Sequence, residues 1–463
     1  MSKNLFVGVG GKARKAKEFY VGVNGKARRV VKAYIGDENG KARPFWEKES
    51  HLAENSLEFV SDDNFSMIAT KLWNGTIEYN NGNGWTTWDG SQILSGKING
   101  RQRIYLRGSR NSYIRGQNAT RENPWKILWS NVECNGNIEC LLDYQKVAAG
   151  EHPEMGIGCY KFLFYKCSNL ITAPQLLATT LVEDCYYYMF SETSITTAPQ
   201  LPATTLARGC YLAMFQKCSS LTTAPELPVT TLAQSCYYSM FSGCSSLTTA
   251  PELPATTLVD YCYSFMFEDC SSLTTAPELP ATILAQHCYS FMFLGTSITT
   301  APELPVTTLA KNCYHSMFAN CASLTTAPEL PATTLAEGCY YYMFNGCSSL
   351  TTAPALHATT LAKTCYYGMF ANCVNLTRIP ALNATTLVDY CYFMMFKNCP
   401  KVKPATQQSE NYSVSYRVPI FATATSQPSY SMTDMFSSST ESNVEYHINT
   451  TYWLPRTASV IIS

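Results

Sequence analysis

The chain has 463 residues with 34 basic and 34 acidic side chains, so its formal net charge at pH 7 is zero. Its length allows more than one domain, and its balanced charge argues against a nucleic-acid-binding surface spread over the molecule. No apolar run is long enough to span a membrane, and the start MSKNLFVGVGGKARKAK lacks the apolar stretch of a secretory signal.

Residues 1–50 contain a short repeat, FVGVGGKARK, YVGVNGKARR and YIGDENGKARP. The alternation of Val and Tyr around Asn24-Gly25 and Asn39-Gly40 predicts small β-hairpins with primed turns. These segments resemble the N-terminal parts of phage tail and baseplate-associated proteins, and the resemblance implies docking to other virion proteins. The basic residues are either docking contacts or solvated strand faces; the candidate attachment residues are Lys12, Arg14, Lys26, Arg28, Lys41 and Arg43.

Residues 51–150 are predicted to form an all-β, sandwich-like domain. The segment 77–93 indicates two strands around an Asn/Gly turn, and 103–108 indicates a third. Cys134 and Cys140 flank a predicted turn and would be able to pair in an oxidising medium. Five tryptophans are either the core of this domain or a platform for sugars; they are Trp73, Trp85, Trp88, Trp125 and Trp129.

Residues 151–400 are dominated by a repeat of 25 or 26 residues, C-Y-x-x-M-F-x-x-C-x-x-L-T-x-A-P-x-L-P-A-T-T-L-A-x-x, where the first cysteine is position 0. The two 25-residue copies lack the second cysteine, at 191–195 and 294–298. Ten copies are marked by a Cys-Tyr pair, with first cysteines at 159, 185, 210, 236, 262, 288, 313, 339, 365 and 391.

The constant residues predict an amphipathic helix in each copy. At 100° per residue, positions −4, −3, 0, +1, +4 and +5 share one arc, while the variable positions share the other. Thr334 is a candidate N-cap with Glu337 completing a capping box, and Gly or Asn at position +7 would close the helix. The following L-T-T-A indicates a short strand. We therefore predict an α/β solenoid of about ten helix-strand units, curved because packed helices lie about 8–10 Å apart and strands about 4.8 Å apart.

The segments C-S-S-L-T-T-A-P and Y-x-x-M-F-x-x-C resemble the BspA-like leucine-rich repeats of bacterial surface proteins and of gut bacteriophage proteins. The resemblance covers roughly residues 155–400. It implies a leucine-rich-repeat solenoid used for binding.

The eighteen repeat cysteines are expected to be free, buried, small apolar residues. Two cysteines eight residues apart on a helix are about 12 Å apart, and neighbouring helices would hold the first-cysteine row about 8–10 Å apart. Both distances are too long for a disulfide. The spacing is not that of a zinc site, and no metal or other cofactor is expected.

The sequence shows no catalytic motif, so we predict a non-enzymatic protein. One glutamate per copy, as in Glu226 and Glu252, is either a solvated acid or part of a cation site. At positions +2 and +3 the aromatic rings either contact a receptor or fill gaps between helices. These candidate receptor-binding residues are Tyr187, Tyr188, Tyr238, Phe265, Phe291, Tyr341, Tyr342 and Tyr367.

The leading functional hypothesis is a phage tail or baseplate-associated protein that presents the solenoid to a host-surface glycan or protein. It would be made in the host cytoplasm, attach to the virion through its N-terminus, and use residues 401–463 as a cap or tip. Its expected partners are other tail proteins, the host receptor and a second copy of the chain, without nucleic acid or membrane insertion. The alternatives are a bacterial surface adhesin and, third, a glycan-cleaving tail enzyme, which would need a pair of acids in one cleft.

Overall fold

The computed structural model describes residues 55–115, 125–420 and 426–462, together with six strands within residues 1–50. Those strands confirm the predicted hairpins as antiparallel pairs. The turns at 24–25 and 39–40, and Lys41, lie outside the described residues. The pairs are β1 (Phe6–Val9) with β2 (Lys12–Lys15), β3 (Phe19–Val23) with β4 (Lys26–Val30), and β5 (Lys32–Gly36) with β6 (Ala42–Glu47).

Two antiparallel sheets follow, and they include the strands predicted from 77–93 and 103–108. The smaller sheet has the order β11-β8-β14, and the larger one β10-β9-β13-β7-β15 with β12 added beside β13. The strands are β7 (Leu57–Ser61), β8 (Ser66–Ala69), β9 (Thr76–Asn80), β10 (Thr86–Thr87), β11 (Ile93–Leu94), β12 (Gly96–Ile98), β13 (Arg101–Ser109), β14 (Trp125–Leu128) and β15 (Glu133–Asn135).

Three of the five tryptophans form the core of this region. Trp73, Trp88 and Trp125 are buried, and their ring centroids lie 5.2–6.5 Å apart. Trp85 is half-buried beneath the guanidinium of Arg107, whose Cζ is 4.0 Å from the ring centroid. Trp129 is 63% exposed. The five rings therefore do not form a common platform.

The described residues contain one α-helix, α1 (Cys140–Ala148), and it precedes the repeats. The helix predicted in every copy is not formed, which corrects the expected helix-strand unit. Thr334, the expected N-cap, instead makes a parallel bridge to Thr360 in the next copy. No described helix is long and apolar enough to cross a bilayer.

The segment predicted as a helix is a chain of tight turns with a period of four residues. In all ten copies the residues at positions −1, +3 and +7 have positive φ, between +50° and +76°. The left-handed conformation expected at position +7 is therefore present, but it recurs twice more in each copy. Left-handed residues at every fourth position prevent an α-helix from propagating.

Hydrogen bonds explain how this backbone is satisfied. In the copy that begins at Cys339, the even-numbered positions donate to the carbonyl three residues earlier, as Tyr341 N does to Gly338 O over 3.2 Å. The odd-numbered positions donate to the next copy, as Tyr340 N does to Cys365 O over 3.0 Å. We call this stack, positions −1 to +8 of each copy, the turn ladder. Its N–H groups are paired alternately within one copy and between copies, which a buried backbone requires.

Two stacked aromatic columns fill the interior behind the turn ladder. The tyrosines at position +1 lie with ring centroids 5.6–6.0 Å apart. The phenylalanines at position +5 are 5.5–5.8 Å apart. Copies therefore repeat at under 6 Å on this side, and the curvature argument based on helices 8–10 Å apart does not apply.

The eighteen repeat cysteines are free and buried, as expected, and Cys134 and Cys140, whose pairing the sequence left open, are free and buried as well. Each second cysteine from Cys218 to Cys399 donates its S–H to the carbonyl of a position +5 phenylalanine in the preceding copy, over 3.0–3.2 Å. In the two shorter copies Thr193 and Thr296 occupy position +8 and donate to the phenylalanine carbonyl of their own copy over 2.8 Å. The second cysteine thus serves as a small residue with a weak donor.

The strand expected from L-T-T-A is mostly reduced to single parallel bridges between copies, such as Thr197 to Thr223 and Thr223 to Thr249. Within the described repeats, this segment forms a β-strand, and not a single bridge, only at β16 (Arg378–Pro380). Threonine hydroxyls reinforce this side, as when Thr325 Oγ1 donates to Thr299 O over 3.1 Å. Thr–Thr contacts of this kind stabilise neighbouring strands.

At the C-terminus the stack is closed by an eleventh unit that the repeat pattern of the sequence does not predict. Tyr392 N donates to Ser431 O over 2.9 Å, and Phe436 stacks on Phe396 with centroids 5.2 Å apart. β19 (Ser459–Ile461) covers β16 in parallel, and β17 (Tyr412–Arg417) pairs with β18 (Thr451–Pro455) within the predicted cap. The turn ladder and the threonine side of the stack therefore both end on other segments of the chain.

The N-terminal end is closed by the all-β region. Val132 and Asn137 make parallel bridges to the first copy, and the Cys167 thiol donates to Trp125 O over 3.1 Å. One apolar core runs from Leu57 to Ala458. The boundaries expected at 150 and 400 thus divide segments that share this core.

Candidate functional site

The outer face of the turn ladder carries a nearly continuous row of aromatic rings, which we call the aromatic strip. Its rings stand at positions +2 and +3, outside the two buried columns, and all are half-buried except Phe162, which is buried. All eight predicted receptor-binding residues belong to it. Its members are Phe162, Tyr187, Tyr188, Tyr238, Phe265, Phe291, His315, Tyr341, Tyr342, Tyr367 and Phe393.

Contact between rings is closest in the middle of the strip. Phe265 and Phe291 stack with centroids 4.4 Å apart, and Phe291 lies 4.6 Å from His315. His315 then contacts Tyr341 at 4.7 Å, and Tyr341 stacks on Tyr367 at 4.5 Å. Because these rings cover one another's faces, the strip offers mainly ring edges and hydroxyls to a ligand.

The strip narrows at the third copy, where Leu212 and Ala213 replace the rings. Ala213 is fully buried between the flanking copies. Tyr188 and Tyr238 nevertheless approach each other across it, since Tyr188 contributes, after burial, to the raised pKa of Tyr238. The narrowing divides a short N-terminal group of rings from a longer C-terminal group.

Backbone conformation explains why a single position supplies so many outward rings. Position +3 has a positive φ in each copy, including Tyr188, Phe265 and Tyr342. Bulky residues rarely adopt this conformation. The backbone of these copies is therefore strained at position +3, where a glycine would not be. Gly368 occupies the same position in the ninth copy, and the Tyr342 ring covers it.

The electrostatics of the strip favour uncharged side chains. Burial raises the pKa of Tyr341 and of Tyr367 to about 12. Burial, followed by the nearby His287, lowers the pKa of His315 to about 4. At neutral pH the middle of the strip therefore holds neutral phenols and a neutral imidazole.

A charged pair lies at the N-terminal end of the strip. Lys161 Nζ lies 4.0 Å from the centroid of the Tyr187 ring and 2.8 Å from Asp184 Oδ2. A lysine held between a carboxylate and a ring face makes a cation–π contact. This end of the strip is consequently more polar than its middle.

Three kinds of residue in or beside the strip escaped sequence reasoning. His315 and Phe393 occupy position +2, so the register alone would have identified them. Phe162 occupies position +3 of the first copy. Tyr390 and Tyr430 extend the row from position −1, stacking with centroids 5.2 Å apart, and no position +2 or +3 pattern includes them.

The other candidates do not form a comparable site. Glu226, Glu252 and the matching glutamates are exposed, one in each of five copies. The described residues hold no cluster of three or more potential metal ligands. Among the attachment candidates, Lys12, Arg14, Lys26, Arg28 and Arg43 lie on the hairpin strands.

The side chains of the strip are of types that suit ligand binding. Tyrosine rings provide apolar area and a hydroxyl that both donates and accepts hydrogen bonds. A ligand with alternating apolar and hydroxyl or amide groups would suit it, as sugars and extended peptides do.

Comparison with known proteins identifies the repeats. Residues 186–325 and 261–403 match the BspA type leucine rich repeat region (6 copies). This part of the chain is therefore a leucine-rich repeat of the BspA type, preceded by β-structure. No curated protein and no solved structure matches the chain significantly.

Proposed function

We propose that this protein is a non-enzymatic, tail- or baseplate-associated component of a bacteriophage virion that binds the host surface through the aromatic strip. The N-terminal hairpins attach it to other virion proteins. The protein is made in the host cytoplasm and becomes exposed after lysis. Its ligand is a glycan or protein of the host envelope.

The observation that carries the proposal is that the strip is separate from the core. Core positions 0, +1, +4 and +5 keep the same residue types, and Tyr340 and Phe344 are almost fully buried. The strip positions vary among Tyr, Phe, His, Ser, Leu, Lys, Ala, Gly and Met while the fold repeats unchanged. A surface that varies on a constant scaffold is suited to recognition.

Attachment through residues 1–50 is supported by strand pairing. Each hairpin pairs only within itself, and no described strand of residues 55–462 joins its sheet. The hairpins thus form a segment whose backbone is not part of the sheets of the repeat body. Its basic character suits an acidic docking surface.

The test replaces four strip tyrosines with serine, namely Tyr187, Tyr238, Tyr341 and Tyr367. We expect binding to host cells to be lost while the melting temperature changes little, because each ring is only half-buried. A large fall in melting temperature would show that the rings are packing residues. Intact binding with intact stability would place the receptor site elsewhere on the protein.

A matched control changes four exposed threonines outside the strip. The exposed threonines Thr222, Thr248, Thr299 and Thr325 can be replaced with serine, which keeps each hydroxyl. This control should bind host cells like the unmodified protein. If both variants lose binding, the strip has no special role.

A bacterial surface adhesin is the second candidate, and the BspA-type match is consistent with it. The two differ in where the protein is found. Purified virions that contain the chain support the phage assignment, whereas its presence on uninfected bacteria supports the adhesin.

A further inference from the structure

Cys159 and Cys185 are the first two members of the first-cysteine row, and their Sγ atoms lie 3.2 Å apart. No other two thiols of the described residues are joined by a hydrogen bond. The row was expected to keep its cysteines 8–10 Å apart, and that expectation is wrong, because hydrogen bonds such as Tyr340 N to Cys365 O hold successive first cysteines on adjacent rungs.

The backbone holds the two cysteines side by side. Tyr160 N donates to Cys185 O over 3.0 Å, so the residues occupy adjacent rungs of the turn ladder. The Tyr160 and Tyr186 rings that follow them stack with centroids 5.6 Å apart. A disulfide needs Cα atoms about 5.5–6 Å apart, which is close to this spacing between rungs.

The surroundings contain hydrogen-bond donors without acceptors. The hydroxyls of Tyr160 and Tyr186 are buried, and neither has a partner in the described residues. Buried hydroxyls are normally paired, so two orphan donors beside a thiol pair indicate a place where an oxygen-bearing species would be stabilised.

The pair lies beside a segment that carries exposed residues. Met155 Sδ lies 3.9 Å from Cys185 Sγ, and Met155 is itself partly exposed. It belongs to the segment 151–157, which includes Ile157 with 63% of its surface accessible. The two thiols themselves are buried.

We propose that Cys159 and Cys185 form an oxidation site that converts to a disulfide when a peroxide reaches it, cross-linking the first two repeats. The remaining repeat cysteines stay reduced under the same conditions. The site would act once the protein leaves a reducing cytoplasm, and it does not depend on which ligand the strip binds.

The chemistry requires one equivalent of hydrogen peroxide. One thiol is oxidised to a sulfenic acid as the O–O bond breaks and water leaves. The second thiol then attacks that sulfur, the S–O bond breaks, and a second water leaves with the disulfide formed. Two thiols and one peroxide thus give one disulfide and two waters.

Proximity, not acidity, distinguishes this pair. Burial raises the pKa of Cys185, as it does those of Cys236 and Cys339 deeper in the stack. A sulfenic acid formed at Cys159 or Cys185 meets a second thiol at once, because the two Sγ atoms lie 3.2 Å apart, whereas no other pair of thiols in the described residues is joined by a hydrogen bond.

The experiment treats the folded protein with hydrogen peroxide and maps cysteines by peptide mass spectrometry after blocking free thiols. Before treatment, titration of the denatured, unreduced protein should find at least the eighteen repeat cysteines free, as the sequence predicts. After treatment, we expect the 159–185 cross-link several-fold in excess over any other pair. Equal cross-linking elsewhere, or no disulfide at 159–185 while other cysteines oxidise or all stay reduced, would overturn the proposal.

Variants separate contact from general exposure. Cys185→Ala should abolish the cross-link and leave a sulfenic acid at Cys159 that a dimedone probe captures. Cys365→Ala, at the same repeat position without a hydrogen-bonded thiol partner, should leave the 159–185 yield unchanged. If Cys185→Ala fails to fold, Cys159→Ala gives the reciprocal test, with capture at Cys185.

Discussion

Replacing Gly368 with alanine distinguishes the turn ladder from the helix that the sequence suggests. Gly368 stands at position +3 of the ninth copy, in the middle of the predicted helix, and its φ is +55°. A Cβ at this position would lie 2.1 Å from Cε1 of the Tyr342 ring. The two backbone conformations therefore predict effects of opposite sign.

In a helix interior, glycine to alanine stabilises the fold by roughly 0.5–1 kcal/mol. In the turn ladder, a left-handed alanine costs roughly 1–2 kcal/mol. The Tyr342 ring must also move away from Tyr367, whose centroid is 5.3 Å distant, and an aromatic pair contributes about 0.5–1.5 kcal/mol. We expect Gly368→Ala to lower the free energy of unfolding by about 2–3 kcal/mol when these two contributions combine.

The change in the free energy of unfolding is measured from the shift of the urea denaturation midpoint, monitored by circular dichroism. The same substitution in a Tyr342→Ala background removes the clash and should cost only the backbone part, about 1–2 kcal/mol. If Gly368→Ala is neutral or stabilising, the positive φ at this position is refuted, and an α-helix is the better description of this segment.

Two further predictions concern attachment and pH. Removing residues 1–50 should leave the melting temperature of the repeat body unchanged, because the hairpins share no strand pairing with it, while incorporation into virions is lost; normal incorporation would contradict docking. His315 is held neutral by burial at a pKa of about 4, so the unfolded chain binds a proton first and stability should fall by about 2–3 kcal/mol as pH drops from about 6.5 to 4. His315→Tyr should remove that loss and the exposed His357→Tyr should not; identical pH profiles for His315→Tyr and the unmodified protein would show that His315 does not titrate as described.

Which residues are buried could be predicted from the sequence, but the backbone conformation could not. Positions 0, +1, +4, +5 and +8 fall on one arc of a helix with 3.6 residues per turn, and equally on two columns with a period of four. Over nine residues, periods of 3.6 and four residues give nearly the same pattern of buried positions, so the sequence does not distinguish them. The burial of Cys339, Tyr340, Met343 and Phe344 was therefore predicted correctly with the wrong conformation.

A signal for the turn ladder was nevertheless present. Positions −1, +3 and +7 often carry Gly, Asn, Asp or Ser, the residues that adopt positive φ most readily. Gly338 and Gly346 show this spacing within one copy, eight residues apart. Aromatic residues at the same positions, such as Tyr342, conceal it, because bulky side chains seldom take that conformation.

The end caps were predicted only in part because their sequences leave the repeat pattern. The eleventh unit, 430–437, has serine and methionine where the other copies have the Cys-Tyr pair. Only Met435 and Phe436 keep the repeat positions +4 and +5. Its role is set by hydrogen bonds to the tenth copy, which a search for cysteines does not detect.

The aromatic strip was predicted at positions +2 and +3 because those positions vary. Its ring-to-ring contacts depend on repeats spaced less than 6 Å apart. Helices 8–10 Å apart would have kept the rings separate. The free, buried thiols follow from their residue type and context, whereas the contact between Cys159 and Cys185 depends on the close rungs of the ladder.

The proposed binding surface is tested most directly by hydrogen–deuterium exchange of the protein with and without host-cell envelope. Binding through the strip predicts slower exchange in peptides that contain positions −1 to +3 of the fourth to tenth copies, with the threonine side unchanged. Protection confined to the threonine side or to residues 401–463, with the strip peptides exchanging as in the free protein, would contradict the aromatic strip as the receptor-binding surface.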